Sequence, residues 1–228
     1  MIKRRRSDSG AVPAMLLGCL GLLLVGIVLF ALFGVGTYNR LVGLDETVKQ
    51  QWAQVENTYQ RRYDLIPNLV RTVQGSANFE KSTLEAVVNA RSRVGQMAAP
   101  AGPPGAGSAT PDNPAAFQQF EAAQQGLSSA LSRLLVVVER YPDLKANQGF
   151  LELQSQLEGT ENRIAVERRR YNEVAQEFNA AVRRFPGNII AGITGFKQKA
   201  YFQSTPGAQQ APEVNFDFSN TAASATPR

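Results

Sequence analysis

Two stretches hold ionisable and amide side chains at spacings that could do chemistry: VENTYQRRYDLIPNLV (55–70) and TENRIAVERRRYN (160–172). In each, a Glu-Asn pair, Glu56-Asn57 or Glu161-Asn162, precedes an arginine cluster by one or two helical turns. Carboxylates flanked by arginines can act as a general acid and base, or as an electrostatic clamp. The same groups can instead form a binding face or hold helices in register. Composition removes many other chemistries. The 228 residues include no His and one Cys, Cys19, so Ser-His, Cys-His and His-metal sites are unavailable within the chain. No Walker motif, glycine-rich dinucleotide turn or Glu-x-x-His pattern of di-iron bundles is present. No catalytic, cofactor-binding or metal-binding residue is assigned, although a carboxylate pair stays open as an acid/base or metal site.

Both stretches belong to amphipathic helices. From Val55 the positions 55, 59, 62, 66, 69 and 73 follow steps of 4 and 3, the seam of a helix in a bundle. Arg62 is its one position that is not apolar. Pro67 removes a backbone donor and crowds the carbonyl four residues back. Because the seam stays in phase across it, a kink is expected; a fresh helix capped by Asp64 is the alternative. A second helix is expected from Phe79 to about Gln96, followed by the Pro/Gly-rich loop 97–113. Asn113-Pro114 supplies an N-cap and a first-turn Pro for a third helix running to about Arg140. The fourth is expected from Leu144 to Phe185, with the seam 157, 161, 164, 168, 171, 175, 178, 182 and 185. Pro186 and Gly187 stop it. A short apolar segment, 189–202, precedes a tail, 203–228, in which Val214, Phe216 and Phe218 alternate with polar residues.

The expected architecture is all-α: an N-terminal transmembrane helix, then an antiparallel up-down four-helix bundle with long first and last helices over 37–202. The span is placed at 14–36. Residues 14–35 carry no charge and as a helix are roughly 33 Å long, enough to cross a hydrocarbon core. The run is long for a cleaved signal peptide, and the lipobox-like Leu16-Leu17-Gly18-Cys19 lies inside it. Lys3, Arg4, Arg5 and Arg6 in the flank 1–13 face only Arg40 and Lys49 beyond the span. That asymmetry puts the N-terminus in the cytoplasm and the helical domain outside it, on the cell (inner) membrane. The flank also explains the charge. The first ten residues contribute +3 of the net +5, so the exported part is nearly neutral, without a strong electrostatic footprint for nucleic acid, and no nucleic-acid partner is expected.

A charge in a bundle seam is costly unless paired. Arg62, Glu161 and Arg168 occupy seam positions, with Glu56, Asn57 and Asn162 one position beside. The expectation is an inter-helix network: Arg62 with Glu161, Glu56 with Arg168 or Arg169, and the two asparagines completing the hydrogen bonds. A functional site built from the same residues is the competing reading and requires a pocket between the first and fourth helices.

The stretches YNRLVGLDETVKQQWAQVENTYQRRYDLIPNLVRTVQG, LVVVERYPDLKANQGFLELQSQLEGTENRIAVERRRYN and FPGNIIAGITGF resemble the LemA family of bacterial membrane proteins. The resemblance covers most of 38–202. It implies a transmembrane helix followed by a four-helix domain, with no established catalytic residues to carry over. Where the family often has a His near Phe79, this chain has Asn78-Phe79-Glu80. The functional expectation is a non-enzymatic membrane-anchored scaffold of the bacterial envelope, contacting lipid through its N-terminal helix and binding envelope or membrane proteins or itself. Two alternatives are a lipid-surface-binding protein using 189–202 and the Arg168-Arg170 run, and an enzyme built on Glu56, Glu161 and the nearby arginines.

Overall fold

The computed structural model describes residues 11–75, 79–98 and 111–203, without the side chains of 11–19, 23, 27–32 and 98. The basic flank, most of the Pro/Gly-rich loop and the alternating segment 214–218 lie outside the described residues. Six helices are described: α1 (Ala11–Gln74), α2 (Lys81–Ala98), α3 (Pro114–Val138), α4 (Pro142–Lys145), α5 (Gln148–Arg183) and α6 (Gly187–Thr194). No strand occurs among the described residues.

The first helix is one 64-residue rod. Its seam extends further than expected: 41, 45, 48, 52, 55, 59, 62, 66, 69 and 73 are all buried, the unbroken 4-3 stepping of a helix that keeps one face to its neighbours. The helix runs through Pro67 to Gln74. Proline has no N–H to give Tyr63, whose carbonyl would otherwise lack a partner. Arg91 on α2 fills the gap: its Nε donates to the Tyr63 carbonyl at 3.4 Å, and its guanidinium lies 3.8 Å from the Tyr63 ring centroid. A Cβ at Gly95, one turn on, would sit 2.9 Å from the Tyr63 hydroxyl, so glycine lets α2 lie close at this point.

Pairings across the molecule fix the helix directions. Trp52 on α1 meets Phe117 on α3 and Tyr171 on α5, while Arg62 meets Ser128 and Glu161. Numbers rise together along α1 and α3 and fall along α5. Phe79, just before α2, meets Tyr141, just after α3, with ring centroids 5.0 Å apart. The long helices therefore alternate in direction.

The helix count differs from the four expected, because local caps win over periodicity. The long last helix is divided at Asn147, whose Oδ1 accepts from Phe150 N at 3.1 Å and caps α5; the preceding residues form the one-turn α4. α5 ends at Arg183, so Phe185 is not a seam residue but an exposed one in the turn. A Cβ at Gly187 would fall 2.1 Å from the Ala181 carbonyl, so only glycine permits this turn. α6 then closes with Gly195 in the left-handed region at φ 82°.

Residues 196–203 leave α6 as an extended strap. The core divides at the level of Arg62. One cluster, rich in aromatic rings, joins α1, α3, α5 and α6 with Phe202 of the strap. The other, mostly aliphatic, joins α1, α2, α3 and α5 with Leu144 of α4. No α2 residue belongs to the first cluster, and no strap residue to the second. The apolar stretch 14–35 is continuous helix within α1; counting only the residues whose side chains are described, which leaves out more than half of that stretch, no helix is long and apolar enough to cross a membrane.

Candidate functional site

Arg62 is 1% exposed and lies where the two core clusters meet, between Tyr59 and Ile66 on its own helix. α3 faces it with Gln124 and Ser128, α5 with Glu161. Its Nη1 donates to Glu161 Oε1 at 2.6 Å and to Ser128 Oγ at 2.7 Å. Its Nη2 donates to the side-chain and main-chain oxygens of Gln124. The guanidinium stands 5.1 Å from the Tyr59 ring centroid. Nε is buried and finds no acceptor among the described residues. Three helices thus contribute to one polar layer across an otherwise apolar core. A layer with an unsatisfied donor adds little net stability over an apolar one, but it disfavours any helix register that leaves Arg62 without Glu161.

The other residues expected in this network lie elsewhere. Glu56 is on an exposed face; partial desolvation raises its carboxyl pKa, and a hydrogen bond from Trp52 pulls it the other way. Asn57 and Asn162 are exposed. Arg168 reaches Glu121 on α3 at 2.6 Å rather than Glu56, because Glu56 is turned out of the seam that Arg168 faces. Arg169 and Arg170 are exposed and pair along their own helix with Glu173 and Glu167. At the level of Glu56 and Glu161, the space between α1 and α5 is filled by the buried Val55, Tyr59, Arg62 and Ile164.

Arg168 belongs to a second arrangement that holds the strap. It donates to the Gln203 carbonyl at 2.9 Å and covers the Phe202 ring, with the centroid 4.6 Å from its Cζ. Gln203 N donates to Glu121 at 3.2 Å. Seven residues apart on α5, and so on one face, Asn172 and Asn179 each use both ends of their amide. Asn172 accepts from Phe202 N and donates to Phe202 O, both at 2.9 Å. Asn179 accepts from Lys199 N at 2.7 Å and donates to Lys199 O at 2.9 Å. The side-chain amides thus satisfy much of an extended backbone, whose Ala200 N donates instead to the Pro111 carbonyl at 3.1 Å. Tyr171 OH donates to Ala200 O at 2.9 Å, and burial pushes its phenol pKa up.

The strap carries a second buried charge. Lys199 is 6% exposed, with Nζ 2.5 Å from both Asp45 on α1 and Asp112 before α3. It also lies 4.9 Å from the Phe178 ring centroid. Burial alone would raise the Asp45 pKa, but Lys199 and Lys49 outweigh it and hold the carboxyl below its ordinary value. This centre was not foreseen from sequence, although continuing the α1 seam back from Val55 gives 52, 48, 45 and 41 and puts Asp45 inside. Lys199, on non-helical chain, has no such signal.

Among the described residues, no group of three or more His, Cys, Asp or Glu is placed to hold a metal ion. The two charged centres are built to tie elements together. The LemA family model matches residues 51–216. Magnetosome protein MamQ 2 of Paramagnetospirillum magneticum is 30% identical over 213 residues, covering 89% of this chain and 76% of that protein. Magnetosome protein MamQ of Magnetospirillum gryphiswaldense is 29% identical over the same shares. Protein LemA of Metamycoplasma hominis is 24% identical over 184 residues, 81% of this chain and 76% of its own. The chain belongs to the LemA family.

Proposed function

We propose that the protein is a non-enzymatic, membrane-anchored helical scaffold of the bacterial envelope. The observation that carries this reading is α1. One uninterrupted helix holds both the apolar stretch 14–35 and the seam on which the other helices pack. No linker separates anchor from domain, so the bundle stands at a fixed attitude to the bilayer. From residue 36 to its end, α1 extends roughly 58 Å. Lys3, Arg4, Arg5 and Arg6 hold the N-terminus in the cytoplasm and direct the bundle to the other side. The partners are envelope or membrane proteins, including further copies of this chain. Two relatives are named as magnetosome proteins, which supports a role in a cellular assembly rather than in catalysis.

The buried position of Arg62, with α3 and α5 both contributing to its layer, supports a structural rather than catalytic role for the conspicuous charges. The test is crosslinking of the full chain in intact membranes, followed by extraction and mass analysis. Discrete crosslinked assemblies retained in the membrane fraction are expected. Release by alkaline carbonate would contradict the anchor, and repeated recovery of monomer alone would contradict the scaffold.

A further inference from the structure

α6 meets α1 where the apolar stretch ends. A Cβ placed on Gly34 would lie 3.6 Å from Ile190 Cδ1, and Tyr38 packs on Phe196 with ring centroids 6.1 Å apart. Ile190 and Ala191 face the bundle, whereas Ile189 and Ile193, one turn apart, turn outward. Ile193 is 78% exposed and Phe185, in the turn before α6, 76%. Phe33 and Val35 on α1 are also largely exposed, at 64% and 59%. Phe185 lines one groove with Phe33, and α6, which carries Ile189 and Ile193, touches α1 at Gly34. Soluble surfaces do not usually gather large apolar groups in this way.

Charge frames the patch. Arg40 on α1, Arg183 and Arg184 at the end of α5, and Lys197 after α6 are all exposed. A groove of about 530 Å³ between α1 and the α5–α6 turn is lined by Phe33, Arg40, Glu177, Arg184 and Phe185. Apolar side chains at one end, with the cations Arg40 and Arg184 and the carboxylates Glu173 and Glu177 beside them, offer the groups that a phospholipid interface pairs with, acyl chain, phosphate and headgroup.

We propose that α6 and the turn before it are a second membrane contact, with Phe185, Ile189 and Ile193 inserted into the bilayer surface that the apolar stretch of α1 enters. This rests on the anchor reading and deepens it. Two contacts from different elements fix the tilt of the bundle as well as its attachment. The occupant is the bilayer because Phe185 shares a groove with Phe33, at the end of the proposed span, and with the cations Arg40 and Arg184, while α6 packs at Gly34 through Ile190. A partner helix would need no such link to the span and no flanking cations.

The test uses the full chain in phosphatidylcholine/phosphatidylglycerol nanodiscs, with Cys19→Ser as background. Nitroxide labels are placed singly on Leu24→Cys, Ile193→Cys and Val136→Cys, the last an exposed position on α3. Relative accessibility to oxygen and to a water-soluble nickel chelate gives depth. Leu24 should read as deep. Ile193 should read as shallow within the bilayer, with an oxygen-to-nickel ratio several-fold above that of Val136. If Ile193 matches Val136 while Leu24 is deep, the second contact is wrong and the anchor stands. If Ile193 is shielded from both reagents, a protein partner covers the patch and the proposal is overturned. If Leu24 itself reads as aqueous, the anchor fails and this contact with it.

Discussion

The two halves of the bundle solve one packing problem differently. Beyond Arg62, α1, α2, α3 and α5 surround an aliphatic core, and the backbone of the long elements is satisfied within each helix except at Pro67, where Arg91 of α2 serves the Tyr63 carbonyl. On the nearer side of Arg62, α2 contributes no buried residue, an extended strap adds Phe202, and the core becomes aromatic: Trp52 touches Phe117, Phe120, Tyr171 and Phe202, with centroids 5.6–6.0 Å apart. A strap cannot satisfy its own backbone, so α5 provides Asn172, Asn179 and Tyr171 for it. Each half also has its buried cation. Arg62 joins helices to one another, and Lys199 joins a non-helical segment to them. Helix-to-helix ties set register; the strap tie can open without the helices separating.

The sharpest break in this comparison is Glu161→Leu. Arg62 is fully buried and Glu161 is its only carboxylate partner among the described residues, so the change should cost roughly 3–5 kcal/mol of global stability, read by chemical denaturation. Arg62→Met should cost less, because Glu161 is 41% exposed and can be solvated. Next comes Lys199→Met, which removes the tie from Asp45 and Asp112. It should raise amide exchange across 199–203 well before the helices unfold, with a loss on the order of 2 kcal/mol. An equal effect on the exchange of α1 and α2 would erase the distinction between the two ties.

Acid separates the halves without mutation. Asp45 is held below its unfolded value, so its contribution is fully present above about pH 4 and is lost as pH falls through the lower, folded pKa. Exchange of the strap should therefore increase on acidification below about pH 4, and Asp45→Asn should flatten that dependence. Comparable in size to Lys199→Met is Asn179→Ala, expected to cost about 1–3 kcal/mol by leaving Lys199 N and O without their partner, with exchange rising at the Lys199 amide first. At the bottom is Arg91→Ala on α2. It removes the ring contact and the donor to the Tyr63 carbonyl beside Pro67, for about 1 kcal/mol by thermal denaturation.

Legibility in the sequence followed the same divide. Where the chain is helical, the 4-3 stepping located the seams and put Arg62, Glu161 and Arg168 on them, because burial on a helix has a period. Arg168 was matched with the wrong carboxylate, since a seam gives the face of a residue but not its partner. Glu121 on α3 begins no recognisable motif. The division at Asn147 was hidden because the apolar spacing tolerates a cap that only local hydrogen bonding reveals. The strap had the weakest signal of all. An extended segment held by side-chain amides has neither helical period nor strand alternation, and Asn172 and Asn179 read as ordinary polar residues until Lys199 and Phe202 lie against them.

The central claim is that the conspicuous charges hold the bundle in register and that function lies on other surfaces. The direct test is a double-mutant cycle on the full chain, with Arg62→Met and Glu161→Leu made singly and together. Stability and the yield of crosslinked membrane assemblies are measured on each. The account predicts that each single change destabilises, that the double recovers much of the loss, and that the folded variants retain the assemblies. Unchanged stability with loss of the assemblies would contradict it and place the functional surface at Arg62 and Glu161.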